Sequence, residues 1–228
     1  NRNITSNITG DIVPDLTANA INVDFFDLSN QAYLQTIFAQ KFSLGGGVEH
    51  KILVLESETL QNTNPVFENS IYFSLFGFVK YDSFDKKYFP KTGWNFNSEI
   101  RSYVYSSDYK NNFERFSIAK ADFAFAQPIN KNISLKMQSD VGFAIGERSI
   151  PYFDFILGGF GFQQVNNIKP FFGYDFLSVA ANSFIKASGT IDYVFLKKNH
   201  LNFSANFANL EQNLFLSKDW ISLPKYSG

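Results

Sequence analysis

Cysteine is absent from these 228 residues, so neither a disulfide nor a thiolate metal site can hold the fold together. Only two histidines occur, His50 and His200, each beside an expected turn, where a polar rim residue is the simpler reading than a ligand or a base. No run approaches the roughly 18 uninterrupted apolar residues of a membrane-crossing helix. There is no basic run and the formal net charge is −1, which leaves no electrostatic footprint for nucleic acid. No G-x-S-x-G elbow is present, so no serine nucleophile can be nominated. Gly158-Gly159-Phe160-Gly161 lacks the following helix that a phosphate loop needs and reads as glycines packed among aromatics. The chain opens at Asn1 without Met or a basic and apolar leader, so any signal peptide is expected outside it.

What the chain has in abundance is aromatic side chains, 28 Phe and 11 Tyr. Mean hydropathy is nonetheless −0.14, because polar residues are interleaved with them. From Ile133 to Ile145 one set of alternate residues is Ile133, Leu135, Met137, Ser139, Val141, Phe143 and Ile145, and the other includes Lys136, Gln138 and Asp140. Successive strand side chains point to opposite faces, so such a segment has an apolar side and a polar side. The pattern recurs where Ile185, Ile191 and Tyr193 oppose Lys186 and Asp192, and where Leu201, Phe203 and Phe207 oppose Asn202, Ser204 and Asn206. Sandwich strands run about 5–6 residues, whereas a membrane strand needs about 9–11. Length favours an antiparallel transmembrane β-barrel, apolar to lipid and polar to its lumen, over a soluble β-sandwich adhesin.

Residues 1–18 read as a polar tail or loop, and 19–228 as an incomplete barrel. Strands are expected at 20–28, 33–42, 48–56, 70–81, 94–105, 114–127, 133–145, 183–195 and 201–208. Gly45-Gly46-Gly47, Pro128 to Lys131 and Lys197 to His200 read as tight turns. Longer polar connections alternate with them, the arrangement of a barrel with short periplasmic turns. About nine strands is an odd number, and an open edge cannot face lipid unsatisfied. The rest of the barrel is therefore expected from residues outside this chain. The connection at 146–182 exceeds the usual length of a structureless loop, and its aromatics are too many to leave in water, so it is expected to fold inward. Carboxylates such as Glu99 and Asp140 read as solvated lumen charges, and Tyr88, Trp94, Tyr103 and Tyr105 as interfacial girdle aromatics. No cofactor or metal site is expected.

Three stretches resemble the BamA/surface-antigen superfamily. Asp82-Ser83-Phe84-Asp85-Lys86-Lys87-Tyr88-Phe89-Pro90-Lys91-Thr92-Gly93 resembles that family's periplasmic turn D-x-x-D-x-x-Y-F-P-x-x-G, carried here by Asp82, Asp85, Phe89, Pro90 and Gly93. Ile150 to Gly159 resembles the family's entry into a long inward loop, ending in Gly158-Gly159. Phe171-Phe172-Gly173-Tyr174 stands where the family carries Val/Ile-Arg-Gly-Phe/Tyr at the loop tip, and Asp192 where a lumen acid meets that Arg. Phe172 replaces the Arg, so Asp192 is expected to be hydrated or paired with Lys169, Lys186 or Arg148. Phe172 and Tyr174 are then expected to pin the loop by packing, with the Tyr174 hydroxyl hydrogen-bonded.

A narrower resemblance covers Pro170 to Ser178 and Lys198 to Asn206, which look like the C-terminal barrel of envelope proteins fused to a patatin-like phospholipase domain. It implies a full protein of about 16 strands in a Gram-negative outer membrane. It further implies an anchoring and orienting role for a periplasmic Ser/Asp acyl hydrolase outside this chain. Membrane lipids, a second copy or other envelope proteins are the implied partners. The alternative implied by the wider family is an outer-membrane assembly or polypeptide translocation factor.

Overall fold

Alternating aromatic and β-branched residues build long ladders rather than short ones. The computed structural model describes residues 2–6, 21–58, 66–108, 112–146, 151–159, 167–175, 178–195, 199–211 and 223–228. Its strands are β1 (Arg2–Ser6), β2 (Ile21–Phe38), β3 (Phe42–Glu58), β4 (Val66–Asp82), β5 (Gly93–Ser106), β6 (Phe116–Pro128), β7 (Ile133–Ile145), β8 (Phe155–Leu157), β9 (Ile168–Lys169), β10 (Val179–Ala181), β11 (Ser183–Phe195), β12 (Asn199–Glu211) and β13 (Tyr226–Ser227). One ten-stranded sheet runs β1-β2-β3-β4-β5-β6-β7-β11-β12-β13, and a small sheet runs β10-β8-β9. Neighbours in the large sheet are antiparallel throughout. The eight long strands have 13 to 18 residues, enough to cross a bilayer at a tilt. Among the described residues no ladder joins β2 to β12, so the sheet does not close on itself.

The first hairpin departs from the reading of the sequence. The expected strands 20–28 and 33–42 run together into one β2 that ends at Phe38, and the expected turn at Gly45-Gly46-Gly47 lies inside β3. The chain turns instead through Ala39 and Gln40, whose φ values of 48° and 58° are both left-handed. That is the backbone sense a tight hairpin prefers, reached here without the usual Asn or Gly. The glycines serve packing. Tyr33 lies 6.4 Å from the Phe76 ring and 6.1 Å from that of Phe78, across the backbone of β3. A Cβ on Gly47 would stand 2.6 Å from Tyr33 Cβ and closer still to the Ala32 carbonyl. Gly47→Val should therefore destabilise the sheet by about 1–3 kcal/mol, measured as a lower unfolding midpoint in detergent. An unchanged midpoint would remove this account of the glycines. Arg2–Ser6, expected within a polar tail, pairs with Ile21–Phe25 as β1.

The two faces differ sharply. Met137, Ile191 and Phe203 are exposed at 56%, 45% and 62% on one face, while Asp140, Lys186 and Asp192 are buried on the other. A bulge between Phe73 and Ser74 shifts the register, so that Ser74 pairs with Tyr103 and Phe73 with Tyr105. Tyr105 is thus exposed as a girdle residue would be, but Tyr103 is buried in the core. An alternating pattern cannot show a bulge, which is why both tyrosines read alike from sequence. Trp94 is exposed and stacks on Tyr81 at 4.0 Å. His50 lies within β3, away from any turn.

Candidate functional site

The connection from β7 to β11 lies against the polar face and is tied to it at both ends. It opens with a 3-10 turn at Pro151–Phe153. Phe153 packs against Tyr72, Tyr103 and Phe116 at ring distances of 5.3, 4.8 and 5.0 Å. Such aromatic contacts are each worth about 0.5–1.5 kcal/mol beyond burial. Phe155 is fully buried against Phe184 at 5.0 Å. Gly142 makes room for both, since a Cβ there would sit 2.5 Å from each ring. The Tyr152 hydroxyl donates to Asp27 on β2, whose carboxylate also accepts from Lys51 at 2.7 Å.

Gly158, Gly159, Phe172, Gly173 and Tyr174 come together in the folded loop. Gly159 takes a φ of 73°, open mainly to glycine. Its N–H donates to the Tyr174 carbonyl at 2.9 Å, and its carbonyl accepts from Phe171 N–H at 3.1 Å. Phe172 N–H donates to Asn206 Oδ1 of β12 at 2.7 Å. Asn206 is fully buried and also holds the chain at Gly228 by two backbone bonds of 2.8 and 3.0 Å. The Tyr174 ring lies 5.3 Å from Phe171 and 6.0 Å from Tyr226. Contrary to expectation, its hydroxyl makes no hydrogen bond among the described residues. The ring does the packing.

A charged layer lies under the loop. Asp140 of β7 is 1% exposed, with Lys186 of β11 at 3.1 Å and Lys169 of β9 at 3.6 Å. It was expected as a solvated charge, but the loop covers it and delivers one of its two cations. Arg101 bridges Glu49 and Glu99, and Ser74 donates to Glu49 at 3.2 Å. A polar cavity of about 310 Å³ remains between loop and sheet, lined by Lys51, Glu49, Glu99, Arg101, Lys120 and Tyr152 among others.

The turn between β4 and β5 forms a second constellation. Asp82 Oδ1 accepts from Phe84 N–H at 2.9 Å, and Asp85 Oδ1 accepts from Lys91 and Thr92 N–H at 2.8 and 3.1 Å. Partial burial pushes the Asp85 carboxyl up, but these backbone donors outweigh it and hold the group below the usual carboxylate range. Pro90 is buried, and Gly93 adopts a φ of 106°. Phe89, at a φ of 51°, stacks on His200 of β12 at 3.9 Å and 15°. His200 Nδ1 in turn lies 2.9 Å from both oxygens of Asp192. Asp192 therefore belongs with the turn and not with the loop. Its partner is His200, not one of the expected cations, and His200 is no idle rim residue. Asn206, which holds the loop, is six positions further along β12, about 20 Å away at a strand's rise.

The sequence profile of the OMP85 superfamily matches residues 1–228. The chain belongs to the OMP85 superfamily. Its fold is also similar to a solved BamA from Haemophilus ducreyi lacking POTRA domains 1-3, with a TM-score of 0.64 and 15% identity. The match covers 90% of this chain and 45% of that one, so the chain spans about half the length of that solved protein. No protein of curated function matches it.

In this OMP85 barrel the face bearing Met137, Ile191 and Phe203 is the lipid face, and the loop lies on the lumen face. Phe172 lies in a turn of the loop, and an ionic tie to the sheet sits three residues earlier, at Lys169. Sequence reasoning missed Asn206 and the Asp140 pair with Lys169. The parity of β7 and β12 already put Asp140, Asn206 and His200 on the polar face. What it lacked was which loop residue each would meet.

Proposed function

We propose that this barrel anchors and orients a lipid acyl hydrolase domain of the patatin type at the outer membrane of a Gram-negative cell, the catalytic residues lying outside this chain. The supporting observation is the loop fastened across the lumen face. The loop is fixed to β2 through Tyr152, to β4, β5 and β6 through Phe153, and to β12 through Phe172. Such a face suits a rigid support better than a passage for polypeptide. The resemblance of Pro170 to Ser178 and of Lys198 to Asn206 to phospholipase-fused barrels names the partner domain.

The test uses the natural full-length protein. A fluorophosphonate probe should label it on a serine, and it should release fatty acid from phosphatidylethanolamine vesicles. Loss of that labelled serine should abolish release. If the protein is neither labelled nor active, and its depletion lowers the amounts of other outer-membrane proteins, the assembly-factor alternative holds instead.

A further inference from the structure

The antiparallel order brings the turns at 39–41, 83–92 and 129–132 to one rim of the barrel, with the connection from β7 to β11 leaving from the other. Each of these three turns carries lysine: Lys41 in the first, Lys86, Lys87 and Lys91 in the second, Lys131 in the third. All are exposed except Lys91, which is half-buried. None has a carboxylate within ion-pair distance among the described residues. The acids of this rim are otherwise engaged. Asp82 and Asp85 accept from backbone N–H groups of their own turn, and Asp192 is taken by His200. The opposite rim mixes both signs, as in Asp108, Glu114 and Arg115. In a chain of net charge −1, positive charge is thus gathered at one end.

Apolar groups stand between these lysines. Tyr88 is 72% exposed with Lys87 Nζ 5.4 Å from its ring centre, and Phe38 and Ile129 flank Lys41 and Lys131 in the open. Lys91 Nζ donates to the Lys131 carbonyl at 3.2 Å, fastening two of the turns together. Cations on flexible stems beside exposed aromatic and aliphatic groups, at the edge of a lipid-facing sheet, match the headgroup layer of a bilayer. We propose that this rim binds anionic phospholipid headgroups of the adjacent leaflet, selecting them over zwitterionic ones. Each lysine near such a surface favours the anionic lipid by roughly fivefold at low salt, an advantage that falls within a Debye length. The proposal rests on the barrel and not on the hydrolase reading, and its test needs no enzymatic activity.

The natural full-length protein is reconstituted in phosphatidylcholine vesicles holding a trace of spin-labelled phosphatidylglycerol or spin-labelled phosphatidylcholine. The motionally restricted fraction of each label reports lipid held at the barrel surface. The wild type should restrict phosphatidylglycerol at least about fivefold more than phosphatidylcholine at low salt, and the ratio should approach one in molar salt. The combined variant Lys41→Gln, Lys86→Gln, Lys87→Gln and Lys131→Gln should lose the preference while keeping its heat-modifiable gel shift. The proposal is overturned if the folded variant keeps the preference. It is also overturned if the wild type shows none, including the case where Lys86 and Lys87 crosslink in cells to an acidic protein. Should the variant fail to fold, the salt dependence of the wild type decides alone.

Discussion

Asp140→Ala is expected to cost about 3–5 kcal/mol, because it removes a buried carboxylate against which two lysines are packed. Lys186 and Lys169 both approach this carboxylate, and their side chains are only 7% and 11% exposed. Gln138 Nε2 at 3.2 Å would lose its acceptor as well. The measurement is the urea midpoint of the heat-modifiable species in detergent. Adding Lys186→Met to Asp140→Ala should recover part of the loss, since one orphaned charge is then replaced by an apolar chain of similar length. A single-variant loss below about 1 kcal/mol would show that water reaches the site and that the loop does not seal it.

The second large effect is on the other face. Val141 and Gln138 flank the middle of β7, three positions apart and on opposite sides of the sheet. Arg at Val141 should cost about 2–4 kcal/mol when it meets hydrocarbon near mid-membrane, while Arg at Gln138 should cost far less on the lumen side. Folding into phosphatidylcholine vesicles across a denaturant series reads both. Equal tolerance would mean that the two faces have been assigned to the wrong solvents.

The strands read best from sequence, β7 and β11, were legible because their period-two pattern holds over 13 residues. From Trp94 onward the long strands agree with the sequence to within three residues, inside the usual boundary error. The errors fell where a local signal had a distant cause. Gly45-Gly46-Gly47 has the composition of a turn, but its glycines answer to Tyr33 and Phe78 on the neighbouring strands. The turn motif from Asp82 to Gly93 was legible because its hydrogen bonds are local, Asp to backbone N–H within a few residues. The partners of Asp140, Asp192 and Phe172 were not legible. Each lies 8 to 46 residues away in the chain, and only the sheet register places them side by side.

Laid flat, β2 and β12 would be separated by seven strand spacings, roughly 33 Å. The loop that touches both spans part of that distance. From Tyr152 to Gly159 it can extend about 23 Å at a strand's rise, and Gly159 is hydrogen-bonded to Phe171 and Tyr174, which bracket Phe172. Held at both anchorages, the loop limits how far the sheet can flatten. The stuffing thus works as a gauge for curvature, and circumference is specified partly from inside. Inserting residues beside Asp154 would leave every ladder of the large sheet intact, yet lengthen the tether that keeps the roll at its present radius.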